Sequence, residues 1–358
     1  MPAPTAPRHI VIPLVAGIGN AMMAEPMVRQ LRTGLDRPDR VTVVASISAM
    51  GEPMRRIRGV EVVVCGKGAW KTFAAIRSVG AIDVLLVPFP SNRWQYNVLA
   101  MRSGAKRVVM HAYPSARAWL SSRVGDRVEA TRGIHDVNQN LRLLEKLGIA
   151  PGLDDAPRFP LDKDDRHRAE GLLRDAGAAD RPFVAVHAGS ARTILAAAKR
   201  WPVEKYAMLI GTIRDETGWD VVLLEGPDER GVAEEILRAG AASAKVLRLG
   251  GPLGDAAGLL ARAKLYVGTD SGLAHVAAAV GTRAVTLFAP ADPDRVAPFG
   301  NRDLVVKPAK RCSPCFLYPW EATKPKMRCR PPYCVAEITV EMVMEKVRAA
   351  IATAEHTR

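Results

Sequence analysis

The stretch GTDSGLAHVAAAVGTRAVTLFAP, residues 268–290, places an acid, a hydroxyl and a glycine (Asp270, Ser271, Gly272) at the mouth of an apolar helical run. LYVG before it reads as a short buried strand, and Leu273, Val276, Ala277 and Val280 then recur along one helical face. AVTLF follows as another strand, giving the βαβ rhythm of a parallel sheet. Beyond the carboxyl ends of such strands, helix amino termini offer unpaired N–H groups and positive potential, which suits a phosphate. Gly189 and Ser190 also follow a strand, in FVAVHAGS, where their backbone can approach a phosphate or form a plain turn. Glu229, in GPDER after another strand, can hold a ribose or sugar hydroxyl or simply favour a helix dipole, with Asp228 as its competitor. His275, one turn into the helix after Asp270, is a pocket-lining candidate or a structural histidine. CSPC and CRPPYC offer different chemistry: Cys312, Cys315, Cys329 and Cys334 form two arms that could close a tetrahedral thiolate site for structural zinc or iron. Lys310, Arg311, Lys326, Arg328 and Arg330 would favour those thiolates, and unliganded cysteines in a Pro-rich loop are the alternative.

These residues need strands to position them. HIVIPLV, RVTVVAS, VEVVVCG, IDVLLVPF and KRVVMH are short β-rich runs of one α/β sheet in the N-terminal half. HDVNQNLRLLEKLGI then reads as an amphipathic helix with Val137, Leu141 and Leu144 on one face, and the Pro- and Asp-rich APGLDDAPRFPLDKDD as an interdomain linker. A second α/β sheet runs through FVAVHAG, DVVLLEG, KVLRL, KLYVGT and AVTLF. Between its strands, residues 202–217 predict a helix with Pro202 in the first turn and an apolar stripe of Tyr206, Leu209, Ile210 and Ile213. The expected architecture is two Rossmann-like halves facing each other across a cleft: 1–160, 161–335 with a Cys-rich loop at 307–334, and a helix in 336–358 packing back on the N-terminal domain.

At 358 residues and 48% hydrophobic, the chain can bury two cores, and no apolar run reaches the roughly 18 residues of a spanning helix. RHIVIPLVAGIGNAMMA resembles a secretion signal led by Arg8, but Gly17, Gly19 and PMVRQLRTGL fit strand, tight turn and helix better. A net charge of +14 favours anionic partners. Dispersed basic residues, 5% aromatics and no recognition-helix signature argue against nucleic acid. GIGN lacks the full dinucleotide-binding glycine pattern, which argues against a dehydrogenase.

VHAGS, KRWPVEKYAMLI, LLEGPDER and GTDSGLAHVAAAVGTRAVTLFAP, in this order and spacing, resemble glycosyltransferase family 9, the ADP-heptose lipopolysaccharide heptosyltransferases. The likeness extends through GNAMMAEPMVRQLR, PSNRWQYNVLAMRSGAKRVV and HDVNQNLRLLEKLGI. The resemblance implies the GT-B fold, inverting transfer from a nucleotide-diphosphate sugar such as ADP-heptose, and no catalytic metal. It also implies a cytoplasmic enzyme, peripheral to the inner membrane face, acting on an anionic glycolipid core or other surface glycan. Lys199 matches the lysine ahead of the Trp-Pro pair and would stabilise the departing diphosphate. Asp270 would take donor hydroxyls, although locally its expected role is to cap the following helix; Ser271, Gly272, Gly189, Ser190 and Glu229 complete the donor site. Some members carry a four-cysteine iron site.

The chain departs from the pattern at its N-terminal turn. The family usually shows Gly-Asp followed after five residues by Pro, the Asp acting as base; here Gly19, Asn20, AMMAE and Pro26 stand instead. An amide cannot be that base. Glu25 and His111 are the replacement candidates, unless Asn20 only positions the acceptor or the protein is a weak, metal-bearing binding relative. A sugar-nucleotide epimerase of GT-B shape is the other enzymatic reading. A further departure is the apolar RTILAAA ahead of Lys199.

Overall fold

The computed structural model describes residues 7–35, 39–113, 125–189, 198–310, 312–320 and 333–356. The chain divides into two compact units, Met1–Arg158 with Tyr318–Lys324, and Phe159–Leu317 with Pro325–Arg358.

In the first unit β1 (His9–Leu14), α1 (Ile18–Thr33), β2 (Arg40–Ala45), α2 (Ser48–Arg55), β3 (Val60–Val64) and α3 (Ala69–Ser78) alternate. They are followed by β4 (Val84–Leu86), α4 (Trp94–Arg102), β5 (Arg107–Ala112), β6 (Asp126–Glu129) and α5 (Asp136–Arg142). The strands make one parallel sheet in the order β3-β2-β1-β4-β5-β6. Every residue of β1 is buried, as expected for a central strand covered on both faces. The strand-turn-helix reading of residues 8–33 is met by β1 and α1. Val137, Leu141 and Leu144 are fully buried, but the regular helix ends at Arg142 and continues as a 3-10 turn to Leu147, closed by left-handed Gly148.

The second unit comprises α6 (Lys163–Asp175), β7 (Phe183–His187), α7 (Val203–Thr217), β8 (Asp220–Glu225), α8 (Val232–Arg238) and β9 (Lys245–Arg248). It continues with α9 (Leu253–Arg262), β10 (Leu265–Thr269), α10 (Gly272–Ala279), β11 (Ala284–Leu287), α11 (Pro293–Val296), β12 (Val305–Val306) and α12 (Val340–His356). Its parallel sheet runs β12-β11-β10-β7-β8-β9, the same doubly wound order. The predicted stripe of α7 is fully buried, with Pro202 as its N-cap. Helix α12 buries Val343, Met344, Val347 and Ala350 in the core of this second unit. Its apolar face packs against β10, β11, β12 and α7 of the same unit.

In each sheet the strand order reverses beside the first strand of the unit, between β1 and β4 and between β7 and β10. Crevices at such reversal points are where doubly wound sheets receive ligands. Gly189 and Asp270 follow the two strands that flank the second of these points.

Candidate functional site

The β7–β10 reversal point is built first by register. Gly268 lies opposite His187, and Gly189 and Asp270 each stand two residues beyond that pair along their chains. Gly268 has to be glycine, since a Cβ there would lie 2.6 Å from the Tyr266 hydroxyl and 2.7 Å from the His187 carbonyl oxygen. Thr269 Oγ1 then donates to the Gly189 carbonyl at 2.8 Å, tying the two loops together.

Lys199 reaches this point from the start of α7. Its Nζ donates to Asp270 Oδ2 at 2.5 Å and to the Asp270 carbonyl at 3.3 Å, with the two side chains only 17% and 10% exposed. Trp201, two residues on, is the anchor: it is buried, meets Tyr206 edge-on at 5.0 Å and donates its indole N–H to the Ile338 carbonyl at 2.9 Å. The Lys-Arg-Trp-Pro run thus pairs a buried anchor with a half-buried lysine that meets Asp270. Asp270 does not cap α10, contrary to its expected local role. Ser271 occupies the N-cap without a side-chain cap bond, and the Asp270 carboxylate is turned to Lys199.

A second buried pair flanks the first. Glu229 Oε2 accepts from His187 Nε2 at 2.8 Å and from the Gly226 N–H at 3.2 Å. Burial opposes the Glu229 charge, but the His187 hydrogen bond and charge, with the Gly226 N–H, hold its carboxyl below the ordinary value. On the other side of the ring the Ser271 and Tyr266 hydroxyls stand 3.3 and 3.4 Å from His187 Nδ1. Glu229 is buried and Asp228 exposed, so the geometry selects Glu229 of that pair. Sequence reasoning passed over His187 and Tyr266. The available signal was a histidine ending a buried strand immediately before the Ala-Gly-Ser turn. His275 is buried within α10, and Ser190 and most of RTILAAA lie outside the described residues.

In the first unit Asn20 sits half-buried in the first turn of α1, beside the β1–β4 reversal point. The two candidate replacement bases do not join it at the surface. Glu25 is 1% exposed; one oxygen accepts from Arg29 Nε at 2.8 Å and the other from the Arg158 N–H at 2.9 Å. Arg29 also binds Asp155 at 2.7 Å, so Glu25 fastens α1 to the departing chain. Burial raises the Glu25 carboxyl above its ordinary value against the pull of Arg29. His111 is completely buried in β5, edge-on to Phe89 at 5.1 Å, and burial, with Arg142 and Arg127, pushes it down to about 3. Shut from solvent, it is out of reach of an acceptor hydroxyl in this structure.

Of the four cysteines, Cys329 lies outside the described residues, Cys312 is exposed and Cys315 and Cys334 are half-buried. Among the described residues no three His, Cys, Asp or Glu side chains come together as a ligand set. The expected four-cysteine site includes Cys329 and so lies partly outside the described residues.

Residues 93–324 match the family model of glycosyltransferase family 9 (heptosyltransferase), well over half of the chain. The chain belongs to glycosyltransferase family 9. Among curated family relatives, lipopolysaccharide heptosyltransferase 2 of Escherichia coli K12 is 38% identical over 114 residues, 31% of this chain and 32% of the relative. Lipopolysaccharide heptosyltransferase 3 of the same strain is 28% identical over 221 residues, 61% and 62% of the two chains. The alignments thus span less than two thirds of either relative's length. The solved structure of E. coli ADP-heptose lipopolysaccharide heptosyltransferase II shares the fold, with a TM-score of 0.71 and 21% identity, covering 97% of this chain and 99% of that one. The GT-B architecture expected of a family 9 glycosyltransferase is thereby met, each unit carrying its own doubly wound sheet.

Proposed function

We propose that this family 9 glycosyltransferase is an inverting enzyme that transfers a heptose from ADP-heptose to a lipopolysaccharide core or another surface glycan. The observation that carries the reading is the pair of buried carboxylates at the β7–β10 reversal point, Asp270 held by Lys199 and Glu229 held by His187. Relatives named for ADP-heptose and lipopolysaccharide support the choice of substrates. As the sugar–phosphate bond lengthens, negative charge gathers on the leaving diphosphate. Lys199 has two of its three N–H groups on Asp270, and the third has no acceptor among the described residues; together with the amino terminus of α10 it can take that charge. Asp270 accepts sugar hydroxyls. Both bonds to Glu229 fall on Oε2, which leaves Oε1 for a ribose hydroxyl.

Asn20 can orient an acceptor hydroxyl but cannot remove its proton, so the acceptor proton passes to water. Asn20→Asp is expected to raise turnover by about tenfold or more by restoring a carboxylate. Glu25→Gln should leave the pH–rate profile in place while lowering stability by about 1–3 kcal/mol, because it breaks a buried charge-assisted bond. A Glu25→Gln enzyme that loses an ionisation from the profile would return Glu25 to the base's role.

The reading as a whole is tested by thermal shift with ADP-, UDP- and GDP-sugars, since a ligand selective for the folded state raises its melting temperature. ADP-heptose should give the largest shift, and transfer to a core oligosaccharide should require both substrates. A sugar altered with donor alone would favour the epimerase; binding without turnover would favour a binding relative. No described helix is long and apolar enough to cross a membrane.

A further inference from the structure

The first unit carries a surface that the transfer chemistry does not use. Trp70 and Trp94 occupy the first turns of α3 and α4 and are 79% and 58% exposed, while Met101 is 49% exposed. Along α4, Trp94, Val98 and Met101 follow i, i+4, i+7 spacing, an apolar stripe on the solvent side in addition to the buried Asn97, Leu99 and Ala100. The two helices cover one face of the sheet. Phe73, which meets Trp70 edge-on at 6.2 Å, and Tyr96 pack on the same core cluster, and the Arg77 guanidinium lies against Gly104 just after α4.

The charged residues of the two helices have one sign: α3 carries Lys71 and Arg77 and α4 carries Arg102, all exposed, and neither helix contains an acid. Between Glu61 and Tyr113 the chain has seven Lys or Arg and a single acid, Asp83, and all seven basic residues are exposed. Asp83 is already paired with Lys106 at 2.7 Å. Neither helix has an acid in its first turn. Exposed tryptophans interleaved with lysine and arginine are the composition of a bilayer interface, where the indole sits at headgroup depth and basic side chains meet anionic lipid. A protein partner or a second copy would satisfy the apolar stripe but would give no reason for the one-signed charge around it.

We propose that the α3–α4 face of the first unit docks on an anionic lipid bilayer, with Trp70 and Trp94 in the interface and Lys67, Lys71 and Arg102 on headgroup charge. Vesicle binding is measured without donor or acceptor, so this surface and the transfer reaction stand or fall separately. The full chain should cosediment with phosphatidylcholine vesicles containing about a third phosphatidylglycerol, hardly with pure phosphatidylcholine, and less as salt rises. Trp70→Ala/Trp94→Ala and, separately, Lys67→Glu/Lys71→Glu should each weaken partition by about tenfold or more, with an unchanged circular dichroism spectrum. Equal binding by wild type and both variants, or no binding to the anionic vesicles, would overturn the assignment. So would a wild-type dimer that the tryptophan substitutions convert to monomer, which would give the face to a second copy, or binding to a soluble anionic glycan in preference to vesicles.

Discussion

Lys199→Ala should lower kcat by about a hundredfold, roughly 2.7 kcal/mol of transition-state stabilisation, the usual cost of deleting one preorganised group from a site of developing charge. The loss has a further cause. Asp270, 10% exposed and now 2.5 Å from Lys199 Nζ, would be left as an unpaired carboxylate facing the same diphosphate. Lys199→Arg should keep part of the rate, because it preserves the charge but not the compact ammonium geometry. The fold should persist, since Trp201 stays buried in the core and bonded to Ile338, but the melting temperature should fall because a buried carboxylate loses its partner. The measurement is steady-state transfer with saturating donor, beside a melting curve. Unchanged turnover in Lys199→Ala would remove the lysine from the reaction.

Gly189→Ala should weaken donor binding by one to two orders of magnitude, on the order of 1.4–2.7 kcal/mol. Nothing in the backbone demands glycine here by a left-handed φ; the demand is steric. A Cβ at this position would stand 2.0 Å from Glu229 Cδ and within 2.4 Å of both carboxylate oxygens. Glu229 would have to give up His187 or the Gly226 N–H to escape, and with them the orientation offered to a ligand hydroxyl. The effect should fall on the donor KM more than on kcat. A double-mutant cycle checks the cause: in a Glu229→Asp background, where the side chain is one methylene shorter, Gly189→Ala should cost much less than it does alone. Additive losses, or normal donor affinity in Gly189→Ala, would show that the glycine serves something other than Glu229.

The cysteines and the acceptor side show how little residue type says about distance and access. Cys312, Cys315 and Cys334 have ligand chemistry but do not form a ligand set among the described residues. Glu25 and His111 have the chemistry of a base, but one is locked between Arg29 and Arg158 and the other is sealed beneath Phe89. In each case the side chain's identity was legible and its access to solvent was not.

By itself the sequence determined the strands of both sheets that are apolar runs, the βαβ alternation, the stripe of α7 and the family, because these follow from short-range periodicity and contiguous motifs. It left out β6 and β12, since Asp126–Glu129 buries one residue and Val305–Val306 is only two residues long, too little apolar pattern for an edge strand. Only the tertiary structure decided what each site carboxylate touches. Asp270 meets a lysine 71 residues away and Glu229 a histidine 42 residues away. Locally, an acid before a helix gains most by capping it, and that is what neighbours in sequence can show. Once the β7–β10 register sets Gly189 and Asp270 level and Trp201 fixes the lysine, pairing buried opposite charges avoids a larger desolvation cost than a missing cap imposes.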